Sequence, residues 1–187
     1  MLTNTNTVRM VIGSWGSYNE CNERALGSKW LDFDDFEDWD DIILELEKEG
    51  FELNGIDEEL FLQDNEGFST DSKNWDYVHP KDIFELIKKS GILDDEYKYE
   101  LMEAFCEVRS FDEWEDRVDE YEDDWDRNIV FYHNMTMLDV AYEIVDECYD
   151  LERMLGGLSS YFDYAAFARD LSYDGYTETS NGVIEIR

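Results

Sequence analysis

A formal charge of −34, from 49 Asp and Glu against 15 Lys and Arg, is spread through the chain rather than gathered in a tail. Every folded element must therefore carry one apolar stripe and leave carboxylates over the rest of its surface. The material for such stripes is present: 43% of residues are hydrophobic, with 6 Trp, 12 Tyr and 11 Phe. A disordered acidic segment lacks that capacity for burial, so the chain is expected to fold. Solubility asks for a net charge of only about 2–8 in a small domain, and the excess repels itself. The surface repels nucleic acid and anionic membranes; cations and basic proteins are the partners it favours. By charge count it matches roughly 17 base pairs of duplex DNA, which carries one charge per ~1.7 Å of axis.

With 187 residues the chain has room for one or two ordinary domains, or three small ones. Val8 to Ile12 reads as a strand, Gly13 to Asn22 as a turn-rich stretch, and Lys29 to Phe33 as a pairing segment. A helix is expected from Asp34, its cap, to a stop at Gly50, with Phe36, Trp39, Ile43 and Leu46 on one face. Glu59 to Gln63 reads as another strand, and Asp64 to Asn74 as a boundary.

Three helices follow. The first opens at Pro80 and ends at Gly91; the second places Tyr97, Leu101, Ala104, Phe105 and Val108 together. The third starts at a Ser110–Glu113 capping box and aligns Phe111, Trp114, Val118, Tyr121 and Trp125. Its other faces carry acids, with Arg117 the one base among them.

Past Asp126 the pattern becomes mixed again. Ile129 to Tyr132 is a strand, and Thr136 with Asp139 a capping box for a helix with Leu138, Ala141, Val145 and Cys148 on its stripe. Gly156-Gly157 is a turn, and Ser160 opens a short helix. Tyr176 to Thr179 and Val183 to Ile186 form a hairpin across Asn181-Gly182. The expected fold class is thus α+β, as a mixed N-terminal domain (1–75), an all-helical middle (76–126) and a mixed C-terminal domain (127–187).

Catalytic and metal-binding patterns are not met. Asp124, Asp126 and Asn128 match the start of a calcium loop, but its sixth position is Ile129 and its twelfth Met135, where Gly and Glu are needed. Asp32-Phe33-Asp34 has the form of a DxD element, which so acidic a chain produces by chance. His79 and His133 stand outside any ligand spacing and read as caps or partly buried groups. Neither a nucleophile elbow nor a phosphate-binding glycine loop occurs, so no catalytic residue, metal or cofactor is expected. Cys21, Cys106 and Cys148 are expected as buried free thiols. Without a signal-like or membrane-length apolar run, a soluble cytoplasmic protein is expected.

The sequence also resembles the ArdA family of antirestriction proteins. The stretch Leu138 to Asp150 (LDVAYEIVDECYD) is similar to the family's acidic antirestriction motif; Tyr161 to Leu171 (YFDYAAFARDL) and Asn181-Gly182-Val183-Ile184-Glu185 are similar to its tail. Gly16 to Glu20 (GSYNE), Gly27 and Trp30 resemble its opening block. The resemblance implies an elongated, three-part molecule forming a homodimer, whose carboxylates imitate the phosphates of bent duplex DNA. The implied partner is the DNA-binding groove of a type I restriction–modification enzyme, blocked so that incoming mobile DNA survives. The antirestriction motif then falls on Asp139, Glu143, Asp146, Glu147 and Asp150, beside an apolar stripe suited to a dimer interface.

The residues expected to form the partner-binding surface are Asp34, Asp35, Glu37, Asp38, Asp40 and Asp41 in the first acidic helix. In the later one they are Asp112, Glu115, Asp116, Asp119, Glu120, Glu122, Asp123, Asp124 and Asp126. An ordinary solvated face explains polarity there but not the single sign, since like charges at i, i+4 each cost a few tenths of a kcal/mol. The competing readings are a general acidic binder or chaperone of basic nucleic-acid-binding proteins, and adaptation to high salt.

Overall fold

The computed structural model describes residues 7–68 and 78–187. It is an α+β protein with eight α-helices and two three-stranded antiparallel sheets among the described residues. Two compact units divide it, Met1–Trp125 and Asp126–Arg187. The boundary expected at residue 75 lies outside the described residues.

In the first unit β1 (Arg9–Ser14) runs between β2 (Leu31–Asp32) and β3 (Leu60–Glu66). The β1–β3 register slips between Val11, opposite Asp64, and Ile12, opposite Leu62, so Gln63 is the extra residue of a bulge. Where a turn is expected after β1, the chain forms α1 (Trp15–Glu20). Six residues are too few to show a helical period. The helix is recognisable by its cap, Ser14 Oγ accepting the Ser17 N–H at 3.2 Å. A Cβ at Gly16 would stand 1.8 Å from the Ile56 carbonyl oxygen, so only glycine allows this helix to lie on the 50s loop.

That packing is held by a buried polar knot. Asp57, fully enclosed, accepts the Ser14 hydroxyl at 2.6 Å, the Ser17 hydroxyl, the Glu52 N–H at 2.8 Å and the Arg24 Nε–H at 3.0 Å. Burial alone would raise its carboxyl; the hydroxyls, the N–H and the guanidinium together hold it below the usual carboxylate range.

The first acidic helix, α2 (Trp39–Lys48), starts later than expected. Asp34 does not cap it but lies in a 3-10 turn, Phe33–Asp35, that sends Phe33 into the core. Asp38 is the cap, accepting the N–H groups of Asp40 and Asp41 at 2.9 and 3.1 Å. The inward stripe is Trp39, Ile42 and Leu46; Ile43, expected inside, is only half-buried. The helix stops at Gly50 as expected, where Gly50 N–H reaches Glu47 O and Phe51 N–H reaches Leu46 O, both at 3.0 Å.

Three further helices complete this unit: α3 (Pro80–Ser90), α4 (Glu96–Val108) and α5 (Phe111–Tyr121). His79 caps α3, its Nδ1 accepting the Lys81 N–H at 3.1 Å. In α4 the buried set is Tyr99, Leu101, Met102, Ala104 and Phe105, while Tyr97 is turned to solvent at 42% exposure. The four-residue period of Tyr97, Leu101 and Phe105 is real, but a first-turn residue can extend past the surface that α4 buries.

One aromatic core joins sheet and helices. Phe33 meets Phe84 at 5.3 Å and Phe68 at 6.1 Å; Phe68 meets Phe111 at 6.4 Å. From Phe111 the contacts continue to Trp114 at 5.2 Å, to Trp125 at 5.8 Å and on to Phe105 at 6.4 Å. Rings of this size carry most of the burial energy of such a unit. The mixed and helical segments are thus packed together.

The second unit has β6 (Gly182–Ile186) between β4 (Ile129–His133) and β5 (Tyr176–Thr179). Helices α6 (Met137–Cys148) and α8 (Tyr164–Leu171) pack on each other, with the short α7 (Leu151–Leu155) and a 3-10 stretch, Gly156–Tyr161, between them in sequence. Val140, Ala141, Ala168, Leu171 and Val183 form the centre of the core. The hairpin pairs Thr179 with Gly182, so Ser180-Asn181 makes the turn and Gly182 opens the strand. A Cβ there would lie 2.4 Å from the Tyr132 carbonyl oxygen, a closer need for glycine than the expected Asn-Gly turn.

Candidate partner-binding surfaces

The six acids expected around α2 are all exposed: Asp34 and Asp35 in the 3-10 turn, Glu37 before the helix, and Asp38, Asp40 and Asp41 at its start. Part of this cluster has a local cause. Asp38 caps the helix, Asp41 Oδ2 accepts the Glu37 N–H at 3.1 Å, and carboxylates at a helix N-terminus interact favourably with the unpaired N–H groups there.

The acids of α5 have no such explanation beyond its first turn. Phe111, Trp114 and Val118 bury one stripe; Asp112, Asp116, Asp119 and Glu120 are exposed and Glu115 is half-buried. The array is not one cylinder, however. The helix ends at Tyr121, Glu122 takes φ 57°, and Glu122–Asp124 form a 3-10 turn whose three carboxylates are all exposed. Burial of Trp125, which donates its indole N–H to Ser90 O at 3.0 Å, pulls the chain out of helical register. Asp126, the last acid of the expected array, begins the other unit and is half-buried.

Arg117 does not dilute this surface from outside. Its Nε donates to the Trp125 carbonyl at 2.8 Å and its guanidinium lies 5.8 Å from the Phe105 ring centre. Lys89 of α3 reaches Asp119, and Lys98 of α4 reaches the Asp123 carbonyl.

In the second unit, the segment similar to the antirestriction motif coincides with α6 and the start of α7. Its acids have different duties. Asp139 closes a capping box: its Oδ2 accepts the Thr136 N–H at 2.9 Å and hydroxyl at 2.6 Å, and those bonds lower its carboxyl pKa. Asp150 caps α7 by accepting the Arg153 N–H at 3.0 Å. Asp146 and Glu147 are exposed, and Glu143 is half-buried.

The helix stripe is rotated from expectation. Val140, Ala141 and Val145 face inward, while Leu138 and Cys148 are exposed. Beside it lies a run of uncovered apolar side chains that sequence periodicity does not reveal. Met154 is 60% exposed, Leu158 64% and Tyr161 81%, and no residue of α7 is buried. The signal for it is Met154-Leu155-Gly156-Gly157-Leu158, apolar residues around a glycine pair with no polar alternation. Tyr142 and Tyr164, stacked at 4.1 Å, adjoin the same helices.

The cysteines are free, but Cys21 and Cys148 are exposed, contrary to the expected burial. Each sits at a helix end, where there is no neighbour to cover it. Among the described residues no cluster of three or more His, Cys, Asp or Glu side chains is placed to hold a metal ion. Nor is any described helix long and apolar enough to cross a membrane.

The family model for the antirestriction protein (ArdA) matches residues 10–185, nearly the whole chain. The chain belongs to the ArdA antirestriction family. A comparison with curated proteins gave no match. Of the residues that resemble the family's opening block, Gly16 to Glu20 lie on α1, where Gly16 meets the 50s loop, and Trp30 lies under the Arg9 guanidinium, which sits 4.6 Å from its ring centre. The stretches that resemble its tail, Tyr161 to Leu171 and Asn181 to Glu185, run through α8 and into β6. Membership assigns an antirestriction role.

Proposed function

We propose that the protein blocks restriction by occupying the DNA-binding groove of a type I restriction–modification enzyme, as an acidic substitute for duplex DNA and without catalysis. The observation that carries this reading is the one-signed, exposed surface of α5 and its following turn, opposite a stripe that is wholly apolar. A groove that binds phosphates does so through Lys and Arg and gains affinity from counterion release. Fixed carboxylates address the same side chains whatever DNA sequence the enzyme prefers. The acids from Asp34 to Asp41 and from Asp112 to Asp126 are the proposed contact set. Protection of incoming mobile DNA, inside the bacterial cytoplasm, is the biological setting this implies.

The proposed active form is a homodimer. Met154, Leu155, Leu158 and Tyr161 leave apolar side chains uncovered along one short stretch of chain, which follows the exposed acids Asp146 and Glu147 in sequence; exposed apolar surface with polar neighbours is what a protein interface uses. On this reading the segment from Asp139 to Asp150 acts in part through dimer formation.

Titration of a type I enzyme and labelled duplex with this protein tests the reading. Competitive loss of bound DNA at ordinary salt is the expected result. DNA remaining bound at saturating protein overturns direct occlusion. Equal displacement of DNA from unrelated basic proteins would instead favour a general acidic binder.

A further inference from the structure

The acidic turn that follows α5 is held through its main chain by Lys98, with Arg117 gripping the carbonyl that follows it. Lys98 Nζ, from α4, donates to the Asp123 carbonyl. Arg117 Nε, from α5, donates to the Trp125 carbonyl at 2.8 Å. Lys89 Nζ, from α3, acts differently, pairing with the Asp119 carboxylate of α5 at 3.4 Å as well as approaching its carbonyl at 3.5 Å. The Glu122, Asp123 and Asp124 side chains remain exposed.

This arrangement answers a specific physical difficulty. Three successive carboxylates repel one another, and Glu122 adopts φ 57°, which a non-glycine residue rarely occupies. An extended chain would relieve both. A cation paired with the carboxylates would also relieve the repulsion, at the cost of neutralising the surface. A cation on the carbonyls closes the turn and leaves the acids displayed.

We infer that Lys98 is a positioning residue for the partner-binding surface, fixing Glu122, Asp123 and Asp124 in the geometry that a phosphate-binding groove accepts. The inference rests on the occlusion reading, and it predicts a sign that charge alone does not. Lys98→Met makes the protein one unit more negative, which on net charge alone strengthens association with a basic groove. If Lys98 positions the turn, the same change weakens it.

The test is competition against labelled duplex on a type I enzyme, with the intact protein and its Lys98→Met, Lys98→Arg and Lys81→Met variants. Exchange of the Trp125 indole proton is followed in parallel by NMR. Lys98→Met is expected to weaken competition roughly tenfold, within the range for residues that act without touching a ligand. Lys98→Arg, which still reaches a carbonyl, restores it, and Lys81→Met, which removes a lysine paired with Glu85, does not weaken it. Competition by Lys98→Met equal to or tighter than the parent's overturns the assignment, as does weakening that Lys98→Arg fails to reverse. Should the parent itself fail to displace DNA, the occlusion reading falls. The clamp is then decided by the indole proton: faster exchange in Lys98→Met supports it, and unchanged exchange refutes it.

Discussion

The carboxylate of Asp57 takes the Nε–H of Arg24 at 3.0 Å in a site where Asp57 has no exposed surface. The same carboxylate also serves Ser14, Ser17 and the Glu52 N–H, so α1, the 20s loop and the 50s loop share one acceptor. Asp57→Ala leaves a guanidinium, two buried hydroxyls and the part-buried Glu52 N–H without their partner, at a cost of about 3 kcal/mol in urea unfolding.

The pH dependence of that contribution has a definite sign. The folded-state carboxyl is held below its ordinary value, so its stabilisation is complete above the unfolded pKa of about 3.9 and is lost as pH falls through the folded value. The stability gap between the parent and Asp57→Asn should therefore be wide at pH 7 and close as the solution is acidified below about pH 4. A gap independent of pH would mean that the charge is not what the knot uses.

The three thiols should react unequally. Burial, with the nearby Glu103 charge, pushes the Cys106 thiol up to about 12, whereas Cys21 and Cys148 are exposed. The thiolate is the nucleophile. In the folded protein at neutral pH, iodoacetamide should label Cys21 and Cys148 and spare Cys106, as read by peptide mass mapping. Equal labelling of all three would contradict the packing of α4.

Gly16 tolerates no side chain, because its Cβ would stand 1.8 Å from the Ile56 carbonyl oxygen. Gly16→Ala should destabilise the first unit by about 2 kcal/mol, the range for forced overpacking. Gly157→Ala, with nothing within 4 Å of its Cβ position, is the matched control and should be near neutral.

For the proposed dimer, Leu158→Asp combined with Met154→Asp puts charge into the uncovered patch without touching the Val140–Val183 core. Light scattering should show a concentration-dependent dimer for the parent and a monomer with unchanged circular dichroism for the variant. A parent that stays monomeric at high concentration removes the dimer from the proposal.

For the contact surface, neutralising Asp112, Asp116, Asp119 and Glu120 together should reduce competition with DNA by at least tenfold and flatten its salt dependence, by analogy with roughly one counterion per neutralised phosphate. Each single change should be nearly silent. One dominant residue would instead indicate a localised contact rather than a distributed imitation of a duplex.

Several elements are legible in the sequence itself. Phe111, Trp114 and Val118 are buried as their spacing predicts, although Tyr121 of the same stripe is half-buried and Trp125 is buried from beyond the helix; Thr136 with Asp139 forms the expected capping box, a signal that arises within a few residues of chain. Helix starts are less legible. Asp34, Asp38, Ser160 and Asp163 are all competent caps, and the choice of Asp38 and Asp163 reflects where Phe33 and the α6–α8 contact place the chain.

Residue chemistry alone determined that this protein must expose carboxylates on nearly every element, and that its longer helices each have a side able to bury. Which acids cap a helix, as Asp38 and Asp150 do, and which stand free of a cap, as Asp146 and Glu147 do, was decided only in three dimensions. The reason is that a carboxylate's duty depends on which donors reach it. Arg24 comes to Asp57 from 33 residues away and Lys98 to the Asp123 carbonyl from 25, and no local pattern records such an approach.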